Sequence, residues 1–84
     1  MKHTILSLAF AIATLQPAWA ARAPTPVERA RIEATLLFAG FQRWEDIELD
    51  DGRWIVDDAV FADGRQFDIE LDPFTFAILA TRLA

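Results

Sequence analysis

IELDDGRWIVDDAVFADGRQFDIELDP, residues 47–73, is the stretch of this 84-residue sequence that decides the fold. Polar and apolar residues alternate over 46–49 and over 67–71, which is typical of half-buried β-strands. The Asp-Gly pairs at 51–52 and 63–64 fall between the strand-like runs, and such pairs favour two-residue hairpin turns. The stretch therefore predicts three consecutive antiparallel strands joined by tight turns.

The middle strand of this stretch, predicted over 53–62, contains a change of phase. Trp54 and Val56 lie two positions apart and share one face of the strand, so we expect both in the core. The two aspartates at 57–58 interrupt the alternation, which resumes one position out of step at Ala59. An inserted residue of this kind predicts a β-bulge.

A helix is predicted over 26–39, ahead of the strands. Thr25 can cap its N-terminus, Pro26 suits the first helical position, and Glu28 completes a capping box. Gly40 stands where helices end in the left-handed conformation. Spacings of three and four residues define an expected core-facing stripe, which consists of Val27, Ala30, Ala34, Leu37 and Phe41 and is widened by Ile32 and Leu36.

The residues after the third strand predict a turn and a fourth strand at the edge of the sheet. The Asp-Pro pair at 72–73 ends the third strand, because proline cannot donate a hydrogen bond to the ladder. Residues 74–83 are apolar and rich in β-formers, and a short terminal helix is the alternative. One parity of this segment forms a possible partner-binding edge: Phe74, Phe76 and Ile78. A homodimer joined through the same C-terminal strand fits the sequence equally well.

Together these elements predict an α+β fold, with one N-terminal helix packed on a three- to four-stranded antiparallel meander sheet. The helix stripe and one face of the sheet would cover each other. The sheet residues expected to point inward are Ile47, Leu49, Trp54, Val56, Phe61, Phe67, Ile69 and Leu71. The outer face is expected to be acidic and to carry Glu48, Asp57, Asp68, Glu70 and Asp72.

The first twenty residues are typical of a secretory signal peptide. Lys2 and His3 precede an uncharged apolar run over 5–15, which is shorter than the roughly 20 residues of a membrane-spanning helix. Small residues predict cleavage between Ala20 and Ala21. This interpretation divides the chain into a signal peptide over 1–20, a linker over 21–24 and a domain over 25–84. The cleaved product is expected to be periplasmic or secreted, whereas an uncleaved leader would tether the domain to a membrane.

The composition after the leader argues against catalysis and against nucleic-acid binding. Residues 21–84 hold seven arginines and thirteen acidic residues, a net charge of −6, whereas phosphate binding needs clustered positive charge. The chain has no Cys or Tyr, and its single His, Lys and Ser residues all precede residue 21. Most general bases and nucleophiles are therefore missing. We expect no enzyme activity, no metal site and no cofactor.

Two sets of carboxylates invite a sharper interpretation, and neither is favoured. Calcium prefers a single loop that curls round the ion, but five aspartates are spread over two turns and a bulge: Asp50, Asp51, Asp57, Asp58 and Asp63. Glu48 and Glu70 would form an acid–base pair only across a cleft, and the alternation places both on an exposed face. Trp44 precedes the first strand out of phase, so a buried and an exposed position fit it equally.

The order and spacing of these features resemble a PepSY domain over about residues 25–82. The resemblance rests on a tryptophan-valine strand, an Asp-Gly turn, a phenylalanine-bearing strand and a terminal Asp-x-x-Thr. The matching positions are Gly40, Trp54, Val56, Asp63, Gly64, Phe67, Asp72 and Thr75. The family's usual glycine after the threonine is Phe76 here, which puts a left-handed turn at that point in doubt.

The resemblance implies a non-catalytic module that binds a protein or peptide and modulates or inhibits an extracytoplasmic peptidase. A peptidase or an envelope sensor would then be the partner. Two alternatives stay open on the sequence: a small acidic envelope protein that binds a cation or a basic ligand, and a homodimeric structural module.

Overall fold

The computed structural model describes residues 21–84 and contains one helix followed by a five-stranded antiparallel sheet. The elements are α1 (Pro26–Ala39), β1 (Phe41–Arg43), β2 (Asp46–Asp50), β3 (Arg53–Phe61), β4 (Gln66–Leu71) and β5 (Ile78–Leu83). The predicted α+β class, with the helix before the strands, is confirmed. The expected signal peptide over 1–20, including Ala20 at its cleavage site, lies outside the described residues.

Strand β3 is the centre of the sheet. It pairs with β1 and β2 on one side and with β4 on the other, and β4 in turn pairs with β5. The sheet has five strands rather than three or four because β1, only three residues long, also pairs with β3, setting Phe41 opposite Phe61. A strand of three residues is too short to show alternation, so the sequence pattern did not predict β1. The C-terminal segment forms a strand, which decides against the terminal helix.

The helix begins and ends at the predicted residues. Thr25 Oγ1 accepts a hydrogen bond from the Glu28 N–H (3.2 Å), and Glu28 Oε1 accepts one from the Thr25 N–H (2.9 Å), which completes the capping box. Gly40 ends the helix with φ +102°, and its N–H donates to the carbonyls of Leu36 and Leu37. A Cβ at Gly40 would lie 2.8 Å from Phe61 Cε1, so both the backbone angle and the packing require glycine.

The core-facing side of α1 differs from the predicted stripe. Ile32 and Leu36 are fully buried, whereas Val27 and Leu37 are 71% and 58% exposed. The alanines of the predicted stripe, Ala30 and Ala34, are also exposed. Apolar residues recur with helical spacing on both sides of α1, so the spacing alone did not distinguish the side that packs on the sheet.

The sheet contributes most of the core, largely as predicted. The buried residues of the main cluster are Ile32, Leu36, Phe41, Ile47, Trp54, Val56, Ala59, Ile69, Leu71 and Phe76, and Leu49, Phe61 and Phe67 pack against them half-buried. Rings of Phe41, Phe61 and Phe67 meet edge to face at centroid distances of 5.2–6.4 Å. Trp44 is half-buried and also packs against the cluster.

The turns and the bulge follow local sequence chemistry. The first hairpin closes with the two residues 51–52, both at positive φ, between paired Asp50 and Arg53. The second is wider than the predicted two residues, because the Phe61 N–H donates to the Arg65 carbonyl and encloses a three-residue loop. The predicted bulge is present: two β3 residues, 57–58, lie between the register pairs that flank the single β4 residue Asp68.

Candidate partner-binding edge and the surfaces around it

Strand β5 forms one edge of the sheet, and within residues 21–84 it pairs only with β4. The Ala84 N–H donates to the Gln66 carbonyl (3.0 Å), so alternation along an antiparallel strand directs the N–H groups of Thr81 and Leu83 to the open side. Leu79 and Leu83 are 55% and 67% exposed. The edge therefore offers both unpaired backbone groups and apolar side chains.

The three residues expected on this edge lie in different environments. Phe74 is 85% exposed, Ile78 is half-buried opposite Leu71, and Phe76 is buried in the core. Phe76 is therefore not available to a partner. Leu79 and Leu83 are exposed on this edge instead. The alternation in the sequence did not indicate them, because a register shift between Glu70 and Leu71 interrupts the alternation of β5.

Phe76 also decides the question of the left-handed turn. Its φ is +63°, so the turn forms although phenylalanine replaces the family's glycine. A bulky residue is strained in this conformation. The ring is buried against the core, and the Arg31 guanidinium lies 4.8 Å from its centroid. Burial and the cation–π contact offset the strain.

Asp72 builds the turn that carries Phe74 to the surface. Its Oδ1 accepts hydrogen bonds from the N–H groups of Thr75 (2.9 Å) and Phe74 (2.8 Å), and these bonds lower the pKa of the Asp72 carboxyl. Thr75 Oγ1 accepts one from the Ala77 N–H (3.3 Å). The Asp-x-x-Thr motif thus has a structural role: it fixes the loop between β4 and β5.

The opposite edge of the sheet, β2, is partly covered. Arg22 exchanges two backbone hydrogen bonds with Leu49 (3.1 and 2.8 Å). Its guanidinium forms an ion pair with Glu28 (2.9 Å) and lies 5.3 Å from the centroid of the Trp54 ring. Arg22 and the Thr25 N–H together lower the pKa of Glu28 to about 2. Residues before the helix therefore occupy this edge, and β5 is the more open of the two.

The outer face of the sheet is acidic, with its charge partly neutralised. Glu48 and Asp57 are exposed, and Asp68, Glu70 and Asp72 are half-buried. Glu70 forms ion pairs with Arg53 (3.2 Å) and with Arg82. Burial first, and then the neighbouring carboxylates of Asp68, Asp46 and Asp58, raise the pKa of Asp57.

The carboxylates weighed as metal ligands are not gathered into one site. Among residues 21–84, no group of three or more acidic or other metal-binding side chains is placed to hold an ion. A depression of about 200 Å³ lies beside the bulge and is lined by Arg43, Trp44, Glu45, Asp58, Val60 and Gln66. Its mixed charges give no coordination site of the kind that calcium prefers.

The family model described as peptidase propeptide and YPEB domain matches residues 4–82. The chain belongs to this PepSY family. Searches of curated proteins and of solved structures each gave no match. In the part of the chain that the structure describes, no helix is long and apolar enough to cross a membrane.

The remaining PepSY motif positions support the fold at identifiable contacts. Trp54 and Val56 lie in the core, and Phe67 belongs to the aromatic cluster. Asp63 closes its loop by accepting from the N–H (3.0 Å) and Nε (2.6 Å) of Arg65, and these bonds lower the pKa of its carboxyl. In this chain these motif positions therefore hold the scaffold together.

Proposed function

We propose that this PepSY domain is an exported, non-catalytic binding module that holds a protein or peptide segment and restrains an extracytoplasmic peptidase. The observation that carries the proposal is the open β5 edge, with exposed Leu79 and Leu83 on the strand and the exposed ring of Phe74 in the loop before it. Family membership supports the peptidase as the class of partner.

An extended segment of the partner adds to β5 as a further strand. Its backbone pairs with the outward N–H and carbonyl groups of Thr81 and Leu83, and its side chains pack on the exposed leucines. Phe74, held out by the Asp72 turn, contacts the partner beyond the end of the strand. The β2 edge is a poorer site for the same addition, because Arg22 already pairs with Leu49.

The acidic outer face favours a partner with basic residues next to that segment. Charge complementarity of this kind raises the rate of association and is weakened by salt. Residues 21–84 carry no His, Cys, Lys, Ser or Tyr, so the module occupies the partner's site without chemistry of its own.

The proposal of export rests on the signal peptide predicted over residues 1–20. Cleavage between Ala20 and Ala21 would release the domain with Arg22 as its second residue, directly at the β2 edge. Mass spectrometry of the protein isolated from cells that express the full sequence tests this step. An intact N-terminal segment would contradict cleavage and favour a tethered module.

The binding mode is tested with Thr81→Pro and its matched control Thr81→Val. Proline removes an outward N–H and leaves the pairing of β5 with β4 intact, whereas valine keeps the N–H and the β-branched shape. We expect capture of the partner from an envelope extract, and inhibition of its peptidase activity, to be lost in Thr81→Pro and retained in Thr81→Val. Equal behaviour of the two variants would contradict strand addition.

A second candidate function is binding of a cationic ligand on the outer face. It is favoured by the carboxylates of Asp68, Asp46 and Asp58, which surround Asp57 and, after burial, raise its pKa. Calorimetry with Ca²⁺ separates the two candidates. Micromolar Ca²⁺ binding that also raises the melting temperature would favour the cation-binding function. Heats no larger than those of dilution would favour the protein-binding function.

A further inference from the structure

The side of α1 that faces away from the sheet is apolar along the length of the helix. Phe38 is 95% exposed, and Val27 and Leu37 are more than half exposed. Ala30 and Ala34 complete this outward stripe. A surface helix normally turns charged residues to this side, and a helix that is apolar on both sides is normally covered on both.

The charged side chains of α1 do not screen the outward stripe, because they are engaged within the chain. Arg29 pairs with Glu33 (3.3 Å), Arg31 lies over the Phe76 ring, and Glu28 pairs with Arg22. Two arginines and two glutamates leave the helix with no net charge. Residues 41–84, by contrast, hold four arginines and eleven acidic residues, a net charge of −7.

We propose that the outward stripe is an interface between two copies of this chain, with the two α1 helices packed antiparallel across a two-fold axis. The interface is separate from the β5 edge and goes beyond the proposed function. In the dimer, both β5 edges stay open.

Charge favours a second copy on this face over the acidic outer face of the sheet. Association through the outer sheet face would bring two strongly acidic surfaces together, whereas the neutral helix is the least repulsive meeting point. Sheet, helix, helix and sheet would then form four layers, which place the two acidic faces about 30 Å apart. That separation is several times the screening length of about 8 Å at physiological salt.

The sizes of the stripe residues fit the two-fold arrangement. The small residues Ala30 and Ala34 lie at its centre, and the larger Val27, Leu37 and Phe38 lie towards its ends. An antiparallel pair sets Ala30 against the partner's Ala34 and Val27 against the partner's Leu37. Alanines at the crossing point let the helix axes approach closely while the larger side chains pack at both ends.

The area predicts a weak, reversible dimer. The stripe consists of only five residues on one helix, whereas a standard interface has about 20–30 residues a side and buries about 800 Å² per partner. Contacts of this size belong to the low end of specific association. We therefore expect monomers in dilute solution and dimers only as the protein concentration is raised.

Sedimentation equilibrium of the protein produced from its full sequence tests the proposal over a range of concentrations. Ala34→Glu places a charge at the centre of the stripe on an exposed helix position that tolerates it, and should weaken dimerisation at least tenfold. The matched control Leu83→Glu adds the same charge at the β5 edge and should leave dimerisation unchanged. Circular dichroism of both variants checks that folding is retained.

Disulfide trapping gives a second measurement, and it is simplified because the chain has no cysteine. Ala30→Cys and Ala34→Cys proteins, mixed and oxidised with glutathione disulfide, should form a mixed disulfide faster than either forms a disulfide with itself. Phe38→Cys near the end of the stripe should cross-link more slowly.

Three results would overturn the proposal. One is a monomer at every concentration together with no preferential mixed disulfide. Another is association that Leu83→Glu abolishes and Ala34→Glu spares, which would move the interface to β5. A third is a monomer that sediments with phosphatidylcholine vesicles through Phe38, which would make the stripe a membrane-contact surface.

Discussion

Apolar residues recur with similar spacing on two sides of helix α1, but one side is buried and the other is exposed. Ile32 and Leu36 on one side are fully buried, and Leu37, one residue further along, is 58% exposed on the other. Helical periodicity is therefore not sufficient to tell which side meets the sheet. The orientation follows from Gly40, which ends the helix, turns the chain directly into β1 and packs closely on Phe61.

Leu36→Ala should have the largest effect. Removing a fully buried leucine leaves a cavity and should lower the free energy of unfolding by about 3 kcal/mol, whereas Leu37→Ala on the outward side should change it by less than about 0.5 kcal/mol. Urea unfolding followed by circular dichroism compares the two. Because a domain this small has little stability to lose, Ile32→Val provides a milder change on the buried side. Equal losses at positions 36 and 37 would contradict the orientation of the helix.

Gly40→Ala tests what fixes that orientation. A side chain in the left-handed conformation costs about 1–2 kcal/mol, and the contact with Phe61 adds to it, so we expect a loss of about 2–3 kcal/mol. Gly64→Ala is the control: its φ is also positive (+91°), yet a Cβ there meets nothing within 4 Å. A Gly40→Ala loss no greater than that of Gly64→Ala would show that the Phe61 contact has no part in setting the helix.

Local chemistry in the sequence was sufficient for much of this fold. The bounds of α1 follow from Thr25 and Gly40, and the bulge follows from the slip at 57–58. The rotation of α1, the pairing of β1 and the burial of Phe76 depend on contacts between residues distant in the chain, and no local pattern encodes them. For the candidate edge, the β5 strand was predicted, but its exposed residues Leu79 and Leu83 were not.

Asp72→Ala should loosen the loop that brings Phe76 beneath Arg31 at the buried side of the helix. Two backbone N–H groups lose their acceptor, which should cost about 1 kcal/mol of unfolding free energy. Asp50→Ala removes the same charge from an exposed strand position and serves as the control. Thermal unfolding of both should show the larger decrease in Asp72→Ala, and a similar decrease in both would assign the effect to charge alone.

The pH dependence tests the N-terminal end of the same helix. The pKa of Glu28 is lowered from 4.5 to about 2, so its ion pair with Arg22 contributes stability that is complete above about pH 4.5 and is lost as the pH falls towards 2. Glu28→Gln should flatten the stability curve in that window. Part of the slope should persist, because the pKa values of Asp63 and Asp72 are lowered as well. An unchanged slope in Glu28→Gln would show that the pair is not formed in solution.

The smallest expected effect lies on the outer face of the sheet. The pKa of Asp57 is raised, so ionising it costs stability as the pH increases above about 3.8. Asp57→Asn should therefore stabilise the protein at pH 7 by a few tenths of a kcal/mol, since water screens much of the repulsion. Asp46→Asn on the same face is the comparison. Destabilisation by Asp57→Asn in urea unfolding would contradict the repulsive surroundings.

Hydrogen exchange at the Trp54 indole would report how often the domain opens. The indole N–H is buried and donates no hydrogen bond within residues 21–84, and the ring lies beneath the Arg22 guanidinium. Burial rather than bonding would then protect this proton from deuterium. Its exchange should require that the helix and the sheet separate, so its rate would report the rarest openings of the domain. The NMR signal of the Trp54 indole N–H would therefore report on opening of the whole core.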